Sequence, residues 1–252
     1  MSDVVTEIAA GRQVVTLEHI RQRTDGVVGV IERGGAIVAL CAHKCEISAL
    51  PDLGALGSLE RLDVGGNRLA SLPVLPSSLR ELYVDDNQLV ALPALPNLRV
   101  LDANRNRLAS LPPLTDVVFA YAASNRLVQL PAIRDVRYLN VSDNPLSSIE
   151  ALDGVLELRM ENAELAAIPE AVRRLTGLRE LHLRGNAIAS LPAWIGELRA
   201  LEVLDLRGNR IDDVGDSLSA LPLRKLDLRW NPLRRSQPQL ALIATRGCLV
   251  YV

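Results

Sequence analysis

The sequence predicts an α/β solenoid: about ten short repeats stacked so that one strand from each joins a parallel sheet. Three observations carry that expectation. Leucine supplies 46 of the 252 residues. Aromatic residues number only seven (one Phe, four Tyr, two Trp), too few for one large core but suited to many small equivalent ones. The third observation is periodic. Cys45, Asn67, Asn87, Asn106, Asn125, Asn144, Ala163, Asn186, Asn209 and Asn231 follow one another at intervals of 19 to 23 residues, each in the same local pattern. A fixed period in this range is the mark of a stacked-repeat chain.

Taken in order, residues 1–36 are expected to form an N-terminal cap, because a stacked core otherwise ends in open apolar surface. The apolar stretch 26–31 followed by Arg33-Gly34-Gly35 reads as a hairpin or a helix-plus-strand cap. Repeats fill residues 37–233. Residues 59–69 spell LxxLxLxxNxL with Val64 in place of one Leu. The first, fourth and sixth positions, here Leu59, Leu62 and Val64, should point inward. Strand alternation sends the third and fifth, Arg61 and Asp63, to the opposite, concave face. The Asn follows the strand, where its amide can satisfy turn backbone groups of adjacent copies. A thiol at Cys45 is a weak substitute donor and Ala163 offers none. A defect or bound water is therefore expected at residue 163, or a one-residue shift that brings Asn162 into the rung. Copies two to six return through Leu-Pro-x-Leu-Pro segments, 72–76 and 92–96, which should be extended. The later copies place Pro169 and Pro192 before helically spaced apolar residues, so short convex helices are expected there. Residues 234–252, with Leu240, Leu242, Ile243, Leu249 and Val250, should close the last copy as a C-terminal cap, with Trp230 packed against it.

This repeat resembles the leucine-rich-repeat family, and the resemblance spans residues 37–233. It implies a leucine-rich-repeat solenoid with an extended convex side in the short repeats and short helices in the C-terminal ones. Composition limits the function. The net charge is −2, from 28 basic and 30 acidic side chains, so no strong field invites nucleic acid or anionic lipid. No run of 18 apolar residues suggests a membrane span, and residues 1–7 lack the layout of a secretory signal. Three cysteines without such a signal fit a reducing compartment. A cytoplasmic, monomeric chain is the resulting expectation.

Catalysis has little to work with. His19, His43 and His182 are the only histidines, and no nucleophile elbow, phosphate loop or HExxH motif occurs. No catalytic residue, cofactor or metal is expected. Cys41-Ala42-His43-Lys44-Cys45 is the one metal-like cluster, but repeat phase turns Cys41 and His43 outward and Cys45 inward, so its ligands diverge. Cys248 reads as a buried cap residue.

The concave sheet is the informative surface. Its fifth-position column contains Tyr83, Asp102, Tyr121, Arg159 and His182, and its third-position column contains Phe119 and Tyr138. Four of the seven aromatics thus fall in two outward columns, and exposed rings of this kind serve binding. Phe119, Tyr121 and Tyr138 should form one patch. The seventh-position column ends in Arg184, Arg207 and Arg229. Tyr83, Asp102, Phe119, Tyr121, Tyr138, Arg159, His182, Arg184 and Arg207 are the candidate partner-binding residues, and Arg159, His182 and Asp205 could form a hydrogen-bonded row. The partner class is protein.

Residues 72–89 follow LPxLPxxLxxLxVxxNxL. That form is similar to the repeats of bacterial type III-secreted effectors, a group that includes invasion-plasmid-antigen-type ubiquitin ligases and Yersinia outer-protein M-like scaffolds. The resemblance covers mainly residues 69–150. In the ligases a separate helical domain follows the repeats. Only about 19 residues follow the last copy here, so the resemblance carries over no catalytic residue and implies a binding scaffold, exported into a host cell without a Sec signal. A resident adaptor of the producing cell is the alternative.

Overall fold

The computed structural model describes residues 2–20, 22–94 and 96–252; Leu95, in the second Leu-Pro-x-Leu-Pro return, lies outside them. The chain divides into two compact units, Met1–Arg126 and Leu127–Val252, and each carries five copies of the repeat.

The first unit begins with the helix Asp3–Ala9, capped by Ser2, whose hydroxyl accepts from the Val5 N–H. Strand Val14–Thr16 pairs in parallel with Val28–Arg33. That strand reverses through Gly34 and Gly35, both at positive φ, and continues antiparallel as Ala36–Cys41. From there the strands run parallel: Arg61–Asp63, Glu81–Tyr83, Val100–Asp102 and Phe119–Tyr121. The observed register places Ala39, Arg61, Glu81, Val100 and Phe119 in one row and Cys41, Asp63, Tyr83, Asp102 and Tyr121 in the other. The middle residues of the last four strands, Leu62, Leu82, Leu101 and Ala120, are fully buried.

The second unit repeats this plan with Tyr138–Asn140, Glu157–Arg159, Glu180–His182, Val203–Asp205, Lys225–Asp227 and Leu249–Tyr251, all parallel. Its later convex segments are 3₁₀ helices, Glu170–Arg174, Ala193–Glu197 and Ser217–Ala220. Pro169 and Pro192 directly precede the first two, as the sequence suggests. With five residues or fewer to turn, the chain takes the tighter i→i+3 form. Helix Pro238–Thr245 buries Leu240 and Ile243. Leu242 and Leu249, expected in that cap, are 46% and 60% exposed.

The asparagine ladder is explicit. Asn67 Oδ1 accepts from the Cys45 and Ile47 N–H groups, and its Nδ2 donates to the Ala42 and Val64 carbonyls. Cys45 holds the first rung with its thiol, which donates to the His43 carbonyl at 3.5 Å. At Ala163 the expected shift does not happen: Asn162 Nδ2 donates instead to Asp143 Oδ1. The Leu146 N–H, which would have reached a side chain at 163, donates to the Asn144 carbonyl two residues back at 2.9 Å. Pro145 sits between them, and its fixed φ suits that tight three-residue turn. Leu146 and Leu165 line a groove of about 570 Å³ beside the missing rung.

The residue before each rung has positive φ in all ten copies, from Lys44 (51°) through Gly66, Asp86, Arg105 and Asn162 to Trp230 (63°). This left-handed place turns the chain out of the strand. Glycine, Asn and Asp adopt it at least cost. Trp230 does not pack inside the cap: it is 67% exposed.

Candidate partner-binding surface

The outward rows are where the sequence places them, but the face they form is not uniformly open. In the first unit, Arg23, Thr24 and Asp25, which lie between Val14–Thr16 and Val28–Arg33, reach across it. Arg23 Nε lies 2.6 Å from Asp63 Oδ2 and its NH2 3.0 Å from Asp85 Oδ1. Asp25 pairs with His43 Nδ1 at 2.6 Å and Lys44 Nζ at 2.8 Å, and these two partners hold its carboxyl below the ordinary range, the Lys44 bond first. Thr24 Oγ1 donates to Cys41 Sγ at 3.9 Å. Cys41, Arg61 and Asp63 are consequently buried rather than solvent-facing. Burial disfavours the charged Arg23 guanidinium, yet Asp63 and Asp85 outweigh it and raise its pKa.

Tyr83 lies within this covered zone. The guanidinium of Arg61 stands over its ring at 3.9 Å and that of Arg23 at 5.5 Å, and burial pushes its hydroxyl pKa up. Tyr83 is half-buried, as Tyr121 and Tyr138 are, and differs from them in carrying two cations, one from a distant segment and one from the preceding strand. Asp102, the next place in the column, is half-buried. Its pKa is raised, by burial first and then by the nearby charge of Asp85. Phe119 and Tyr121 follow. Phe119 is 43% exposed, and the two rings stack with centroids 6.4 Å apart and planes 14° apart.

In the second unit, Arg159 stands 6.0 Å over the Tyr138 ring and pairs with Glu157 at 2.8 Å. His182 Nε2 meets Glu180 at 3.2 Å. Arg207 pairs with Asp205 and Arg229 with Asp227. Arg159, His182 and Asp205 are neighbours across strands, but the expected hydrogen-bonded row does not form. Each side chain finds its partner two residues away along its own chain, where alternation puts both on one face. Arg184 is exposed and has no carboxylate partner among the described residues. Glu157, Glu180 and His182 bring one ligand atom each within 4.8 Å of one another. The sequence reading missed this trio, although i, i+2 spacing on registered strands could have shown it. Arg159 already engages Glu157, so the trio is tied up in internal pairs.

Among the described residues no helix is long and apolar enough to cross a membrane. The family model described as leucine rich repeat matches residues 158–211 and 176–233. No curated protein matches the chain. Among solved structures, YopM from Yersinia enterocolitica WA-314 is 30% identical, with a TM-score of 0.60 over 75% of this chain and 50% of that one. YopM from Yersinia pestis, described as a leucine-rich effector protein, is 27% identical, with a TM-score of 0.57 over 74% and 58%. The chain therefore spans between half and three fifths of the YopM chains it matches. A chain of the Toll–Spatzle complex of Drosophila shares the fold at 22% identity and a TM-score of 0.60, over 82% of this chain and 37% of that one. The ladder, the register and these likenesses agree: the chain has the leucine-rich-repeat fold and is similar to YopM-type effectors.

Proposed function

We propose that the chain is a non-catalytic protein-binding module of a bacterial effector, docking its partner on the concave sheet face of repeats 37–233, with residues 1–36 and 234–252 closing the ends. One observation carries this reading. In a chain with seven aromatic residues, Phe119 and Tyr121 form an outward ring stack on a strand face, beyond the strands that the Arg23 segment covers. Stacked, rigid rings on a flat backbone offer contact area at little entropic cost. Asp102 supplies a carboxylate beside them, and Tyr138, Arg159, His182, Arg184 and Arg207 hold the corresponding outward positions within the second unit. Tyr83 acts by anchoring the covered end.

The likeness to YopM supports an effector role, and the leucine-rich-repeat chains found in complexes, such as that with Spatzle, support protein as the partner class. The test is capture from host-cell and own-cell lysates with wild type and a Phe119→Ala/Tyr121→Ala variant of unchanged melting temperature. A partner held by wild type and lost from the variant is expected, from the host lysate. A partner retained by the folded variant would move the site elsewhere, and capture only from the own-cell lysate would make the chain a resident adaptor.

A further inference from the structure

The place before each ladder rung is left-handed in every copy, and in the two copies before the last it is Gly185 and Gly208. In the last copy it is Trp230, at φ 63° and 67% exposed. A bulky residue in this conformation is a genuine outlier. The fold gains little buried packing from it, since two thirds of the residue faces solvent. The glycines leave the two preceding places without side chains, and the Trp230 ring reaches back to Arg184, whose guanidinium lies 5.9 Å from its centroid. Arg229 lies 5.5 Å from the same ring and 5.3 Å from that of Tyr251. Trp, Tyr and Arg in one exposed cluster are the residue types that dominate binding hot spots.

We propose that this cluster, which shares Arg184 with the outward columns, is a docking surface of its own, one that takes an acidic segment of a partner protein, a carboxylate meeting Arg184 while a neighbouring apolar side chain lies on Trp230. Charge selects the occupant. Residues 170–252 hold 13 basic and 9 acidic side chains. Within the cluster, Asp227 already engages Arg229, while Arg184 lacks a carboxylate among the described residues. One open guanidinium suits a charge-assisted bond to a carboxylate. A nucleic acid would need several unpaired cations to neutralise successive phosphates, and Arg207 and Arg229 are both paired. Neither Phe119 nor Tyr121 takes part, so the surface stands whether or not the ring stack binds.

The experiment uses the full chain with Trp194→Phe, which leaves Trp230 as the only indole. The probe is an acetylated peptide of Glu-Asp pairs separated by Leu. Its controls are the same peptide with Gln and Asn in place of the acids, and oligouridylate. A saturable change in Trp230 emission with the acidic peptide alone is expected, weakening as salt is raised and at least fivefold weaker in Arg184→Gln. Trp230→Gly should abolish binding measured by calorimetry while its melting temperature holds or rises, because glycine suits the left-handed place. No saturable response, an equal response to the neutral peptide, tighter binding of oligouridylate, or a fall in melting temperature in Trp230→Gly would each overturn the proposal, the last by showing that the indole serves the fold.

Discussion

Asp63 in the second copy and Asp205 in the ninth occupy the same place in the repeat, on the same row of their strands. Both are buried. Asp205 is held by Arg207, two residues further along its own chain. Asp63 is held by Arg23, forty residues earlier, with Arg61 adding a second bond. The periodic sequence sets the place; what covers it is decided in one case locally and in the other by a segment outside the repeat. The first unit therefore closes the start of its outer face with its own chain, whereas in the second unit neighbouring side chains neutralise one another strand by strand.

The largest effects should come from the ladder. Asn186 bonds the N–H groups of both Ala163 and Leu165, so it serves the copy that lacks a rung of its own. Asn106 accepts from Leu89 alone. Both amides also donate to backbone carbonyls, so the difference lies in the N–H groups: Asn186→Ala leaves two without a partner and is expected to cost about 4 kcal/mol by denaturant unfolding, against about 2–3 kcal/mol for Asn106→Ala, which leaves one, each such buried group costing about 1–3 kcal/mol. Equal costs would mean that the break at Ala163 places no extra demand on the next rung.

A smaller loss is expected from Arg23→Ala. Its guanidinium is partly open to solvent, and Arg61 and Arg105 remain on Asp63 and Asp85. About 1–2 kcal/mol is expected, between the values for surface and buried pairs. No change in unfolding midpoint would show that the segment does not hold the face. Asp102→Asn should act with the opposite sign. The folded-state pKa of Asp102 is raised, so the native chain binds its proton more tightly than the unfolded chain does. Its contribution to stability declines as pH rises from the ordinary carboxylate value, about 3.9, through the raised one. Asp102→Asn should therefore melt a few degrees higher at pH 7, with the difference gone near pH 3.5; melts across that range would show it. The smallest effect belongs to Arg173, which pairs with Glu170 and Glu197 on the exposed convex side. Arg173→Ala should move the melting temperature by less than about 1 °C, and a larger shift would mean that convex pairs carry the later copies.

Much of this architecture is legible in the sequence because its period is rigid. Once Leu62, Leu82 and Leu101 are assigned inward, the outward rows follow without freedom, and the register confirms them residue by residue. The Arg23 crossing is not legible: residues 18–27 have no period, and a contact spanning forty residues leaves no local trace. Ala163 announces a missing rung, but its resolution lies in Pro145, one copy earlier. Trp230 misleads for a different reason. An indole reads as core by default, yet the column before the asparagines, with Gly66, Asp86, Gly185 and Gly208, already marks a left-handed surface place. Reading that column down the repeats would have set Trp230 outside.

Which rings are open separates the start of the sheet from the rest, and hydroxyl-radical footprinting of the free chain reads that directly. Phe119 and Trp230 are expected to oxidise readily and Tyr83 slowly, with Arg23→Ala raising the rate at Tyr83 and leaving the other two unchanged. Tyr83 labelled as fast as Phe119 in wild type, or unmoved by loss of Arg23, would contradict the covered start of the sheet and return Tyr83 to the open face.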